Sequence, residues 1–265
     1  MQCLILAGGL GTRIRSVAGE TAKALLPAGL QTFIDWQLQW LYLFGVTEVI
    51  LSLGHQGEVI QTHVNQKIAE SRAQSKNIYP KVKYIFDGPK LLGTGGAIKH
   101  AASLLEDNFL VAYGDAFGFL NFKVIFDQHL MSLRTHLKQL TMSVIKNANM
   151  GDRSNIVVTT DAAGNTHAFY DKFNITPEMD HVDYGTLVLN KRYFLENTPD
   201  GAFDLAIFMT KACKENQATP YFTSEIFREI GSPEGYRFFC ETLKDFDFDL
   251  RKLAAHFKLS PVLNT

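Results

Sequence analysis

Cysteine is scarce in this chain: Cys3, Cys213 and Cys240 are the whole set, far apart and without a C-x-x-C pair. An odd, scattered set fits unpaired thiols in a reducing compartment better than a disulfide scaffold. An excess of either charge is also lacking. Lys and Arg total 26 against 27 Asp and Glu, for a formal net charge of -1. No global field therefore draws nucleic acid or an anionic membrane, and any anion site must be local. No run approaches the roughly 18 apolar residues that span a bilayer, and the first residues lack the basic segment of a secretory leader. A cytoplasmic protein without nucleic-acid or membrane partners is the expectation, and nothing in the sequence signals an oligomeric state.

Several catalytic signatures are absent too. The P-loop spacing does not occur, and no G-x-G-x-x-G leads to an acidic ribose partner, which disfavours a dinucleotide oxidoreductase. Neither H-E-x-x-H nor a Cys/His zinc spacing is found, and no nucleophile triad stands out. Asp245, Asp247 and Asp249 lack the downstream glycine and glutamate of a calcium loop. The aromatics among them, Phe246 and Phe248, read as core. His63 lies on an apolar helical stripe and reads as packed.

What is present is a 265-residue chain, 46% hydrophobic and 20% charged, ordinary for a globular protein with a sizeable core. Gln2 to Ala7 reads as a buried strand that stops at Gly8-Gly9. Phe33 to Phe44 reads as a helix closed by Gly45, and Val46 to Leu53 as the next strand. A helix from Gly57 to Ile68 and a strand from Val82 to Phe86 follow. Gly93 then opens a helix through Leu105, and Phe109 to Tyr113 forms a strand ending at Gly114-Asp115. This alternation predicts an α/β fold: a Rossmann-like, mixed and mostly parallel sheet sandwiched by helices. Beyond residue 139, strand-like segments at 140–146, 155–160, 167–170 and 186–190 predict an antiparallel extension. Helices return at 203–213 and 232–241. A single domain is expected, with 1–138 as one part and 139–265 as the other.

The strongest signal is Leu6-Ala7-Gly8-Gly9-Leu10-Gly11-Thr12-Arg13-Ile14-Arg15, with Lys23 downstream. Three glycines after a strand remove β-carbons where backbone N–H groups can converge on an anion. Thr12 adds a hydroxyl, and Arg13, Arg15 and Lys23 add positive charge for phosphate oxygens. Ligands of α/β sheets sit at such strand ends.

This stretch resembles the G-G-x-G-T-R-L-x-P…P-K-x-L-L-P-V signature of the sugar-1-phosphate nucleotidyltransferases. Ser16 and Ala22 stand where that family usually has proline. The resemblance continues through Leu92-Gly93-Thr94-Gly95-Gly96-Ala97, Tyr113-Gly114-Asp115, Tyr170-Asp171-Lys172, Asp183-Tyr184-Gly185 and Glu229-Ile230-Gly231-Ser232-Pro233-Glu234-Gly235, in family order. Asp171 replaces the usual glutamate, and Phe173 the usual proline. The combination is most similar to heptose- and mannose-1-phosphate guanylyltransferase-like members.

The resemblance implies an enzyme that moves a nucleoside monophosphate from an NTP onto a sugar 1-phosphate and releases pyrophosphate. It implies that Leu6, Ala7, Gly8, Gly9, Gly11, Thr12, Arg13, Gly93 and Thr94 bind the nucleotide. Arg13 and Lys23 hold the triphosphate, Lys172 neutralises the sugar phosphate, Asp171 and Asp183 bind sugar hydroxyls, and Arg13, Lys23, Asp115 and Lys172 make up the catalytic set. Asp115 binds Mg²⁺, with Glu229 as second ligand and Asp183 in reserve. The chemistry suits such a set. A phosphate monoester is substantially ionised at neutral pH, so positioning and fixed charge carry the reaction without an activated Ser, Cys or His. Two other readings stay open on the sequence: a catalytically silent nucleotide-sugar-binding subunit, and cytidylyl or uridylyl rather than guanylyl transfer.

Overall fold

A computed structural model describes residues 1–262 except 10, 89, 148–153, 163 and 165. The chain begins with β1 (Gln2–Ala7), α1 (Arg15–Ala18), β2 (Pro27–Ala28), β3 (Gln31–Thr32) and α2 (Phe33–Leu43). Next come β4 (Glu48–Leu53), α3 (Gly57–Ala73), β5 (Lys81–Phe86), α4 (Gly93–His100), β6 (Asn108–Tyr113), β7 (Ala116–Phe117) and α5 (Phe122–His136). The strands β8 (Leu140–Lys146), β9 (Ile156–Thr160), β10 (Thr166–Tyr170) and β11 (His181–Asn190) follow. The remainder is α6 (Lys191–Glu196), α7 (Leu205–Lys214), β12 (Ala218–Thr223), β13 (Arg228–Glu229), α8 (Pro233–Asp245) and α9 (Leu250–His256).

These elements group into two compact units that interleave along the chain rather than falling on either side of one cut. The first comprises Met1–Leu91, Tyr113–Lys123 and Phe227–Thr265, and the second Leu92–Ala112 and Val124–Ile226.

In the first unit, β1 and β5 flank β4 in parallel register, Gln2 opposite Glu48 and Glu48 opposite Lys81. Leu4, Ile5, Val49, Ile50 and Leu51 are wholly buried there. Helix α2 is apolar around most of its circumference and buried along nearly its whole length, as a helix without a polar face must be. Asp35 closes its first turn by accepting from the N–H and the hydroxyl of Thr32, at 3.0 and 2.7 Å. His63 is not packed apolar: its Nε2 lies 2.9 Å from Asp35 Oδ2 and 3.1 Å from the Thr32 hydroxyl. Periodicity placed it on the inward face without showing that a buried carboxylate waits there.

The segment after residue 240 forms the end of α8 and α9, the latter capped by Asp249 accepting from the N–H groups of Arg251 and Lys252. Phe248 is partly exposed and stacks on Trp36, so it packs at the edge of the core rather than inside it.

In the second unit, β11 is central. It runs antiparallel to β6 and to β8, with a register break between Asp183 and Leu187. β9 and β10 form an antiparallel pair, while β12 joins β8 in parallel. The α/β class, the mixed sheet and the antiparallel extension are therefore as expected. Helix α4 stops at His100, short of Leu105, and a 3-10 turn follows at Ala102–Leu104. Helix α5 carries Phe122, Ile125, Phe126, Leu130 and Leu133 at helical spacing, a stripe absent from the expectations above, with His129 and Ser132 buried on the same side.

Candidate active site

Within the first unit the β1 strand runs into Gly8 and Gly9, and Gly11 turns the chain at φ +63° into a 3-10 turn over Thr12–Ile14. Leu10 lies outside the described residues. Buried Ile14 anchors this turn, which leaves Thr12, Arg13 and Arg15 exposed. No hydrogen bond or ion pair engages the Arg13 guanidinium among the described residues. A second 3-10 turn at Lys23–Leu25 presents Lys23.

The Gly114 turn brings Asp115 to the same strand end. Gly114 donates to Leu6 O at 2.9 Å, and a β-carbon on Gly114 would stand 2.9 Å from Ala7 Cα. Only glycine allows so close a crossing. Lys23 Nζ and Asp115 Oδ2 meet at 2.7 Å. The short β7–β13 ladder pairs Ala116 with Glu229, and Ile230 donates to Asp115 O at 2.9 Å.

Three charged groups converge on Gly231. A β-carbon there would lie 2.8 Å from Glu229 Oε2, 3.0 Å from Arg13 Nη2 and 3.5 Å from Asp115 Oδ2. Arg13, Lys23, Asp115 and Glu229 thus share one place, as the motif order required. The Glu229 carboxylate is heavily used: it accepts from Gly231 N at 2.5 Å, Ser232 N at 3.1 Å and the Ser232 hydroxyl. Ser232 in turn caps α8 by accepting from Gly235 N at 3.0 Å. An acid at a helix N-terminus is favoured by the backbone dipoles, so Glu229 fastens the turn that carries Gly231.

The remaining expected residues fall in the second unit. Gly93, at φ +67°, opens α4, and a β-carbon on it would stand 2.5 Å from Phe203 O. Phe203 O also accepts from Gly95 N and Gly96 N at 3.0 and 3.3 Å, which takes up two N–H groups of this glycine turn. Thr94 Oγ1 accepts from Leu205 N at 2.9 Å and donates to Asp204 Oδ1 at 3.4 Å. Lys172 Nζ lies 2.7 Å from Asp204 Oδ2. Burial works to raise the Asp204 carboxyl, but hydrogen bonds from Lys172 and Ala206 N outweigh it and hold the group below its ordinary range.

Asp171 is buried and committed to a turn, accepting from Phe173 N, Asn174 N and Asn174 Nδ2 at 2.8, 3.0 and 3.1 Å. The Asn174 side chain and those two N–H groups hold its pKa down. Asp183 accepts from Gly185 N at 3.0 Å, and burial pushes its carboxyl up to about 6.

Two acids went unnoticed in the sequence. Asp204 caps α7, and nothing in its local pattern separates a helix cap from a lysine partner. Asp87 follows β5, accepts from Ser52 Oγ at 2.9 Å through Oδ1, and directs Oδ2 against Gly8, where a β-carbon would collide with it. Its signal was position, since acids at strand C-terminal ends face ligands in α/β sheets.

Residues 2–240 match the Nucleotidyl transferase family. The chain belongs to this family. It is 27% identical over 239 residues to D-glycero-alpha-D-manno-heptose 1-phosphate guanylyltransferase of Campylobacter jejuni, covering 90% of this chain and 98% of that one. The enzyme of the same name from Aneurinibacillus thermoaerophilus is 27% identical over 242 residues, covering 89% and 96%. The crystal structure of HddC from Yersinia pseudotuberculosis superposes with a TM-score of 0.67 at 25% identity, covering 91% of this chain and 99% of that one. This nucleotidyltransferase is therefore an enzyme of the sugar-1-phosphate class, transferring a nucleoside monophosphate from an NTP to a sugar 1-phosphate with release of pyrophosphate. Among the described residues no helix is long and apolar enough to cross a membrane.

Proposed function

We propose that the enzyme is a guanylyltransferase for a heptose or mannose 1-phosphate, dependent on Mg²⁺ and working in the cytoplasm. The observation that carries the reaction chemistry is the convergence of Arg13, Asp115 and Glu229 on Gly231 beside the Lys23–Asp115 pair. Exposed Arg13 and the Gly8–Gly11 turn take the triphosphate. Lys23 meets the charge that develops on the departing pyrophosphate, where fixed cations lower the barrier most.

The donor set fits magnesium. Asp115 and Glu229 offer oxygen ligands only. Mg²⁺ commonly takes one or two carboxylates and completes its shell with substrate phosphates. Asp115 is the principal ligand, and Glu229 stands beside it with its carboxylate oriented by the turn. The ion, when bound, neutralises phosphate charge. Lys172, Asp183 and Asp171 serve the sugar phosphate, with Asp171 acting through the turn it holds.

For the base we infer a contact with Asp87, whose carboxylate stands beside Gly8. Its carboxylate accepts hydrogen bonds and donates none, so it favours a base bearing an exocyclic amine over uracil or thymine. Guanine satisfies this and agrees with the names of the full-length relatives. Cytosine and adenine also carry such an amine, so the carboxylate alone does not single out guanine; CTP is the second reading. Three free cysteines and an NTP substrate are consistent with a reducing cytoplasm.

A panel of GTP, CTP, UTP and dTTP against mannose, heptose and glucose 1-phosphates, followed by pyrophosphate release, tests this reading. Release with GTP and a manno-configured sugar phosphate is expected. Release only with UTP or dTTP would overturn the base assignment, and no release with any pair would overturn the function.

A further inference from the structure

Helix α2 carries a buried amide that the reaction chemistry has not used. Gln37 is 4% exposed. Its Nε2 donates to Tyr113 O and to Ala116 O, both at 2.9 Å. Those two carbonyls flank Gly114 and Asp115. With carbonyl acceptors on both sides, the amide can face them only through its nitrogen. Its Oε1 is left buried without a hydrogen-bond partner among the described residues.

A buried orphan acceptor carries a desolvation cost that a thioether of similar volume would avoid, but a thioether would also leave Tyr113 O and Ala116 O without this donor. What the amide does supply is a clamp across the Asp115 turn. Neighbouring donors on the same helix act alike: Trp40 Nε1 holds Gly118 O at 2.9 Å, and Trp36 Nε1 holds Ala28 O at 2.9 Å. Helix α2 thus grips both the segment that follows Lys23 and the segment that bears Asp115.

We infer that Gln37 is a positioning residue of the active site, setting the Asp115 turn against Lys23 through the carbonyls of Tyr113 and Ala116. This rests on the reading that Asp115 stands at the reaction centre. Gln37 touches neither substrate nor metal and acts through the backbone. A misplacement of about 1 Å at a reacting centre can cost about a hundredfold in rate.

The test compares Gln37→Met, which keeps the volume and removes both donors, with Gln37→Asn, which keeps the amide but is one methylene short. Wild type is assayed first with its best NTP and sugar phosphate. For folded Gln37→Met, kcat is expected to fall about 10- to 100-fold, with both KM values within about threefold of wild type. Gln37→Asn should lose kcat in the same direction. Unchanged kcat in Gln37→Met, or loss of folded protein in both variants, would overturn the inference and make Gln37 an ordinary core residue. An inactive wild type would instead overturn the functional reading along with it.

Discussion

Lys23 and Asp115 stand 92 positions apart in the chain, and their charged atoms meet at 2.7 Å at the end of β1. The pair is partly exposed on both sides, so its weight in stability is small. Under the proposed function its value lies in holding an ammonium and a carboxylate where phosphate charge must be handled. Asp115→Asn should therefore fold normally and lose about 10²- to 10³-fold in kcat, the usual scale for removing one electrostatic stabiliser. Circular dichroism paired with a pyrophosphate-release assay checks both halves of that statement. Near-wild-type turnover would place Asp115 outside the chemistry.

Asp183 gives a pH signature of opposite sign to that of most carboxylates. Its folded-state pKa is raised to about 6 by burial, above the unfolded value of about 3.9. The folded chain then holds this proton more tightly than the unfolded one, so its contribution favours folding below about pH 4 and is lost as pH rises through about 6. Asp183→Asn should be more stable than wild type at pH 8 and indistinguishable near pH 4. Thermal melts across that range decide the matter, and an advantage confined to the acidic end would refute the burial argument.

Gly95 faces the ring of Phe203, which a β-carbon would enter. Phe203 is 7% exposed and cannot withdraw into solvent. Gly95→Ala is expected to cost about 1–3 kcal/mol from overpacking, seen as a Tm several degrees lower by scanning calorimetry. A neutral substitution would mean that the glycine serves only ligand access.

Lys172 should reveal itself in one KM. Lys172→Met removes a charge-assisted hydrogen bond worth about 1.5–3 kcal/mol where it meets phosphate, so KM for the sugar phosphate should rise about 10- to 100-fold while KM for the NTP stays within about threefold. Steady-state kinetics with each substrate varied in turn separates the two. An equal rise in both would remove Lys172 from the sugar-phosphate site.

Much of this was legible because it is local. A buried strand stopping at Gly8-Gly9, and the strand–helix alternation up to Tyr113, follow from periodicity and glycine chemistry. Arg13, Lys23 and Asp115 were legible through motif order, although 92 positions separate the last two. Other roles were hidden because a side chain can serve two masters. The acids Glu229 and Asp171 look like ligands in sequence, yet each also accepts several backbone N–H groups of its own turn. In helix α5 the apolar stripe is legible but the place of His129 is not, since its ring is buried between Thr141 and Asn108. Asp87 and Gln37 acquire meaning only from non-local neighbours, Gly8 in one case and the carbonyls around Asp115 in the other.

A double-mutant cycle in kcat/KM across Lys23→Met and Asp115→Asn tests the central claim most directly. Groups that act as one unit show strongly non-additive losses. Each single substitution should cost at least about a hundredfold, and the double variant should fall no more than about tenfold below the worse single. Losses that simply multiply, or a single variant with wild-type kcat/KM, would contradict it.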